Sequence, residues 1–485
     1  NIRNVGFFAF RLTSYPLRDV PAEPSDDVDY GWHISPLGNP APLFNNPERE
    51  AYPTGVATEM HVPAPIRAIA LSTDPENCRR AVAAGREPRS EYYGENLSLL
   101  ITRDSVPIPA ESVLCVDLSE EWCRPPEQLS YLDPGGEEVV IPIEAGVDPA
   151  TGRIVFPAGK EPEETVSTYF HYGFSGDVGG GPYPRRATIL PPSENEFHVI
   201  VSREEPSPSP PHWQPNVADA LADWVASGAR IGVVEIADNG TYEENITLHL
   251  ADNEHLTLRA ADGKRPLLRL VNTGGHVSEL TVEGGEGEDA TLRINGLLIE
   301  GGIRIEPDSL GDLHILHSTL VPGRHLDEQG RPLLSEFPSL TAAPGETRLR
   351  ITLDHTITGP LRLPDTLRGL EVKDSIIDAP EGELGHDASV LLSGNLSPFP
   401  ELGPDPPVVR VSMGAEGPHE AELDDVPTTA TEARDLLQDA IRAAHDSPAF
   451  ADAVGATVAH RLVVGPGVRD AEPTSGNAGS DDAAE

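Results

Sequence analysis

The sequence predicts a mainly β protein, built as an N-terminal β domain, a right-handed parallel β-helix and a small α-helical C-terminal region. Three observations predict it. Apolar runs of only three to five residues, punctuated by Gly, Asp, Asn and Pro, recur from about residue 230 to 412. Four of these runs align without gaps: 292–299 (LRINGLLI), 313–320 (LHILHSTL), 351–358 (ITLDHTIT) and 370–377 (LEVKDSII), with starts 21, 38 and 19 residues apart. Finally, 485 residues exceed one ordinary core, so more than one domain is expected.

Residues 1–200 are rich in Pro and Gly, with β-prone runs at 66–71, 97–101, 139–143 and 166–172. That pattern predicts an antiparallel or mixed sheet with long connections and few helices. Residues 201–213 contain the run EEPSPSPPH, a stiff Pro-rich linker and the clearest boundary in the chain. The β-helix is assigned to residues 214–415 and opens on a helix over 217–226, where Val217, Leu221 and Trp224 share a face.

Strands so short need a lateral neighbour on each side. A coil of about 20 residues per turn supplies one, because each turn buries its apolar edge on the next. About eight turns at a strand spacing of about 4.8 Å would run about 40 Å. The Pro- and charge-rich stretch 321–347 is expected to protrude, with or without a further turn inside it. Residues 416–472 form the helical C-terminal region. A helix over 429–444 has Thr429 or Thr431 as N-cap and Ala433, Leu436, Leu437, Ala440 and Ile441 on one stripe. A second helix is expected over 448–459, then a strand near 462–464, and residues 473–485 form an acidic tail.

Charge narrows the partners. With 79 Asp and Glu against 35 Lys and Arg, the formal net charge is −44. Such a surface repels phosphate backbones and anionic lipids, which argues against nucleic acid binding. All but three of the basic residues (Lys160, Lys264 and Lys373) are arginines. Adaptation to high salt accounts for the acid excess better than codon bias alone, since screening lets dense carboxylates coexist. No run of 18 apolar residues is present to insert in a membrane. Cys78, Cys115 and Cys123 cannot all pair within one chain, and buried free thiols are preferred over a single disulfide.

The aligned repeats place Gly296, His317, His355 and Asp374 at one position, followed by Leu297, Ser318, Thr356 and Ser375. Apolar parity switches there, so the position is a corner between strands. A column of His and carboxylate groups suits metal binding or acid–base work on a glycan. A ladder of polar corner residues bonded to neighbouring turns is the preferred reading. Carboxylate pairs such as Glu243 with Glu244, or Asp374 with Asp378, are uninformative in so acidic a chain. The run 173–177 (GFSGD) is not a nucleophile elbow, and 178–182 (VGGGP) lacks the Lys-Ser/Thr of a phosphate loop, so both read as tight turns. Tyr172, Phe174, Tyr183, Arg185 and Arg186 form either a docking patch or packing at a joint. No catalytic, cofactor-binding or metal-binding residue is assigned.

Several strings resemble large proteins associated with bacterial and archaeal contractile injection systems, the phage-tail-like particles. They are 4–17 (NVGFFAFRLTSYPL), 35–44 (SPLGNPAPLF), 62–66 (VPAPI), 148–156 (DPATGRIVF), 172–183 (YGFSGDVGGGPY), 235–242 (EIADNGTY), 256–263 (LTLRAADG) and 317–323 (HSTLVPG). The resemblance covers roughly residues 1–380 and implies a baseplate or appendage component, with baseplate, tube or sheath proteins as partners in a multi-subunit assembly. It carries no known chemistry. The expectation is therefore a non-enzymatic structural component whose rod docks or contacts cell-surface glycans; localisation stays open, cytoplasmic assembly followed by release in an extracellular particle being one course. The rivals are a polysaccharide-degrading β-helix enzyme, lyase or hydrolase, and a cell-surface adhesin.

Overall fold

The computed structural model describes residues 12–48, 58–189, 193, 195–283, 289–327, 329–334, 337–343, 348–364 and 366–378, and, further on, 391–392, 408–413, 416–423, 430–444, 454–458 and 461–465. The protein is mainly β. It divides into two compact units, Asn1–Pro380 and Glu381–Glu485.

The first unit begins with two small sheets. One is antiparallel, in the spatial order Thr13–Pro21, Val166–Phe174, Leu99–Arg103 and Val106–Pro107. The other runs Glu23–Pro24, Gly31–His33, Arg153–Val155, Ala145–Asp148 and Val113–Cys115, its last pair parallel. Their inward residues, among them Leu17, Ile101, Val147, Ile154 and Phe170, form one core.

One sequence expectation fails here. Residues 66–71 lead not into a strand but into a helix, Ala68–Ala83. The β-prone run hid a longer helical period, since Leu71, Asp74, Pro75, Cys78, Arg79 and Ala83 are its buried positions. All three cysteines are free, but only Cys78 is buried, and Cys123 is exposed.

From Ile231 onward the chain visits three parallel sheets in turn. A first pass contributes Ile231–Ile236, Thr241–Glu244 and Thr247–His249, one strand to each sheet. The next contributes His255–Ala260, Leu267–Leu270 and Glu279–Glu283, paired in register on the strands before. The first sheet continues through Thr291–Asn295, Asp312–Leu316 and Arg350–Asp354 to Gly369–Lys373. Leucine, isoleucine and valine from all three sheets meet in a single core, to which the helix Val217–Ser227 adds Val217, Ala220, Leu221 and Trp224. Asn216 caps that helix by accepting from the Asp219 N–H, and Gly228 ends it at φ +66°.

The stretch 321–347 adds no further pass among its described residues. Asp312–Leu316 pairs directly with Arg350–Asp354, and only Leu340–Ala342 of the insertion joins a sheet. The first sheet also begins earlier than the sequence suggested. Glu196–Val201 pairs with Ile231–Ile236 on one side and with Trp213–Gln214 on the other, so the Pro-rich run joins two strands of the same sheet.

The second unit is mixed rather than helical. The helix Ala430–Ala444 buries Ala433, Leu437, Ala440 and Ile441, as its stripe predicts. In place of a second helix stands the strand Val454–Val458, which pairs with Arg461–Gly465. Two runs assigned to the coil also belong to this unit. Leu391–Leu392 pairs with Arg461–Gly465, and Val408–Met413 makes a hairpin with Glu416–Glu422. The acidic tail lies outside the described residues.

Candidate functional site

The aligned column is a stack of left-handed corners. Gly296, His317, His355 and Asp374 have φ of +81°, +44°, +52° and +45°. This explains the residue types, because Gly adopts that region freely and Asp and His are among the side chains enriched there. Because no turn of chain intervenes, the two imidazoles lie on adjacent strands, with ring centroids 4.8 Å apart.

At the last three corners the next residue, Ser318, Thr356 or Ser375, makes a hydroxyl ladder. Ser318 Oγ donates to Leu316 O and accepts the Leu297 N–H of the preceding turn. Thr356 Oγ1 donates to Ile315 O at 2.8 Å, while the Thr356 N–H donates to Ser375 Oγ at 3.0 Å. Ser318 and Thr356 are fully buried, so each bond satisfies a group that water does not reach.

A segment from the N-terminal sheets lies along the outer side of this column. The Gly179 N–H donates to His355 O at 2.7 Å, and the Gly180 N–H donates to Thr319 Oγ1 at 3.0 Å. A Cβ on Gly180 would fall 2.7 Å from Leu297 O, so the triglycine exists for close backbone approach. Tyr183 packs edge-on to His317, with its hydroxyl 3.2 Å from Nδ1. Arg185 is 2% exposed and donates to the carbonyls of Ala261, Lys264 and Gly181. It occupies the space above Gly296, where a Cβ would stand 2.4 Å from Cζ. Tyr15 stacks on Tyr172 and donates to Asp177 at 2.6 Å. Of the aromatic and Arg residues singled out in the sequence, Tyr172, Tyr183 and Arg185 thus pack at a joint, while the exposed Arg186 pairs with Asp262.

The electrostatics follow from burial. Desolvation, then the neighbouring His355 and Arg185, pushes His317 down to about 4, so its ring is neutral near pH 7. At the outer end of the column Asp354, His355 and Asp374 each offer a ligand atom, all within 4.8 Å of one another. His355 Nδ1 lies 2.6 Å from Asp354 Oδ1, while Lys373 Nζ stands 3.6 Å from Oδ2 of the same carboxylate. That trio could hold a divalent cation or shuttle a proton, with Lys373 as a competing charge. Asp354 was legible only as the neighbour of a histidine; its strand register brings Lys373 beside it.

The acidic pair Glu243 and Glu244 splits across the strand. Glu243 reaches Arg269 outside, and Glu244 is buried and accepts the Val217 N–H at the start of the helix. A second joint centres on Arg269, which bridges Glu300, Glu23 and Glu243 and donates to Pro36 O. Nothing in the sequence flagged this network, because Arg269 and Glu23, for example, lie 246 residues apart. No family model, curated protein or solved structure matches the chain, so the injection-system resemblance rests on the quoted strings.

Proposed function

We propose that the chain is a non-enzymatic structural component of a contractile phage-tail-like injection particle, baseplate-associated or a fibre- or spike-like appendage. In this reading the three parallel sheets wind as a right-handed β-helix, a stiff rod carrying loops to a partner or to a cell-surface glycan. The observation that carries it is the use made of the polar column. His317 is flanked by Tyr183 and His355, Gly296 lies under Arg185, and the hydroxyls beside them are spent on backbone groups. His317 and the hydroxyls beside it thus serve as joints between layers. The test is mass spectrometry of intact particles from the native host. The chain is expected in fixed stoichiometry with sheath, tube and baseplate proteins; particles that lack it while the host expresses it would refute the assignment.

One observation favours a second reading, a polysaccharide-degrading enzyme. The Asp354, His355 and Asp374 trio stands at the less buried end of the column beside Lys373. If it is catalytic, the purified chain releases reducing ends or unsaturated sugars from a polysaccharide panel, and Asp374→Asn or His355→Gln abolishes the release.

A further inference from the structure

The outer face of the first parallel sheet holds a pocket of about 270 Å³, below the ~300–1,000 Å³ of sites for drug-sized ligands. Its floor is a row of side chains in register, Val233, Thr257, Arg293 and His314, one from each successive strand. Two of its polar groups have unmet demands. Arg293 Nε is buried without a partner, and Arg293 makes no hydrogen bond or ion pair among the described residues. Burial alone moves its pKa, downward, with no carboxylate opposing. This is conspicuous in a chain with more than two acids for every base, where neighbouring Arg259 is paired to Glu235 at 2.7 Å. Asn295, which also lines the pocket, is 1% exposed; its amide N–H₂ donates to Thr188, and its carbonyl Oδ1 accepts nothing among the described residues.

A half-buried guanidinium with no counter-ion among the described residues calls for an anion, and its planar fork fits a carboxylate in two parallel hydrogen bonds. A buried amide oxygen calls for a donor, which sulfate does not have and a sugar hydroxyl does. Ile231 and Val233 supply an apolar wall for the face of a ring. Glu196 also lines the pocket, with one carboxylate oxygen accepting the Ser193 N–H. We propose that this pocket binds a single acidic sugar residue, a hexuronate, with its carboxylate on Arg293 and a hydroxyl donating to Asn295 Oδ1. The site adjoins the His column at Asn295 but shares no residue with it, and the proposal holds whether or not the chain belongs to a particle.

The test is titration calorimetry on the full chain with D-glucuronate and D-galacturonate, and in parallel with D-glucose and with sulfate. A uronate is expected to bind, glucose at least tenfold more weakly, and sulfate without displacing it. Arg293→Gln is expected to weaken uronate binding tenfold or more, and Arg293→Lys less, since it keeps the charge but not the fork. Thr291→Glu, at the same pocket, introduces a repelling carboxylate and gives an independent loss should Arg293→Gln fold poorly. Sulfate binding as tightly as the uronates would make this an anion site only and overturn the proposal. So would glucose binding equally well, uronate affinity unchanged in folded Arg293→Gln or Thr291→Glu, or no uronate binding by the native chain.

Discussion

Gly296 is constrained twice, by its φ of +81° and by the Arg185 guanidinium packed over it. Gly296→Ala therefore strains the backbone by about 1 kcal/mol and also displaces a buried charge from its carbonyl partners. We expect a total loss of about 2–4 kcal/mol in urea unfolding. At His317 the same backbone region selects by side-chain shape rather than by size. His317→Asn keeps a residue that enters the left-handed region readily, whereas His317→Val puts a β-branched residue there. The Val variant should be less stable than the Asn variant by about 1–2 kcal/mol, although Val is the more hydrophobic. Equal stability would mean that the corner relaxes, and the conformational account of the column would fail.

At the level of elements, the hydroxyl ladder and the triglycine loop make separable predictions. Ser318→Ala strands the buried Leu297 N–H and should cost about 1–3 kcal/mol. Gly180→Ala instead drives a methyl against the Leu297 carbonyl. Because that contact is to backbone, the loop must lift off the corner, and hydrogen exchange at the Gly179 and Gly180 amides should accelerate in the variant.

The corner was legible in the sequence because a gapless repeat keeps its phase. A parity switch marks a bend whatever its handedness, and Gly, His and Asp share little except tolerance of positive φ. What covers the corner was not legible. Tyr183 and Arg185 reach it from 134 and 111 residues away, and no local period encodes so distant a meeting. The same limit explains two misreadings. The run 66–71 looked extended when read without the helical period that follows it, and Val408–Met413 resembled a coil strand although its partner is the hairpin strand Glu416–Glu422. Short strands reveal their type more readily than their neighbour.

For the whole molecule, acid and salt act through different groups and can be told apart by pH. Burial lowers His33, His171 and His317 to about 4. Each takes up a proton near 6.5 when unfolded, so the stability of its neutral form is complete above about pH 6.5 and is lost as pH falls toward 4. For His33 and His171, both 2% exposed, the loss by pH 5.5 is up to about 1 kcal/mol each. His325 runs the other way. Its bond to Glu300 raises its pKa, and its contribution fades as pH rises through that raised value. Urea midpoints should therefore fall between pH 7 and 5.5, before most carboxylates titrate, and His171→Asn should flatten the slope. Salt works on the −44 charge itself. At about 0.15 M the Debye length is ~8 Å and exposed carboxylates repel; near 1 M it is ~3 Å and most of that repulsion is screened. The thermal midpoint at pH 7.5 should climb by several degrees from dilute buffer to about 1 M KCl and then level off. Saturation is the diagnostic feature, since enhanced apolar burial by excluded salts continues to grow with concentration. The half-buried Arg269 network is shielded from bulk ions and cannot supply this response. A midpoint and far-ultraviolet spectrum unchanged in dilute buffer would mean that the carboxylates are spaced widely enough to coexist unscreened, and high-salt adaptation would no longer explain the composition.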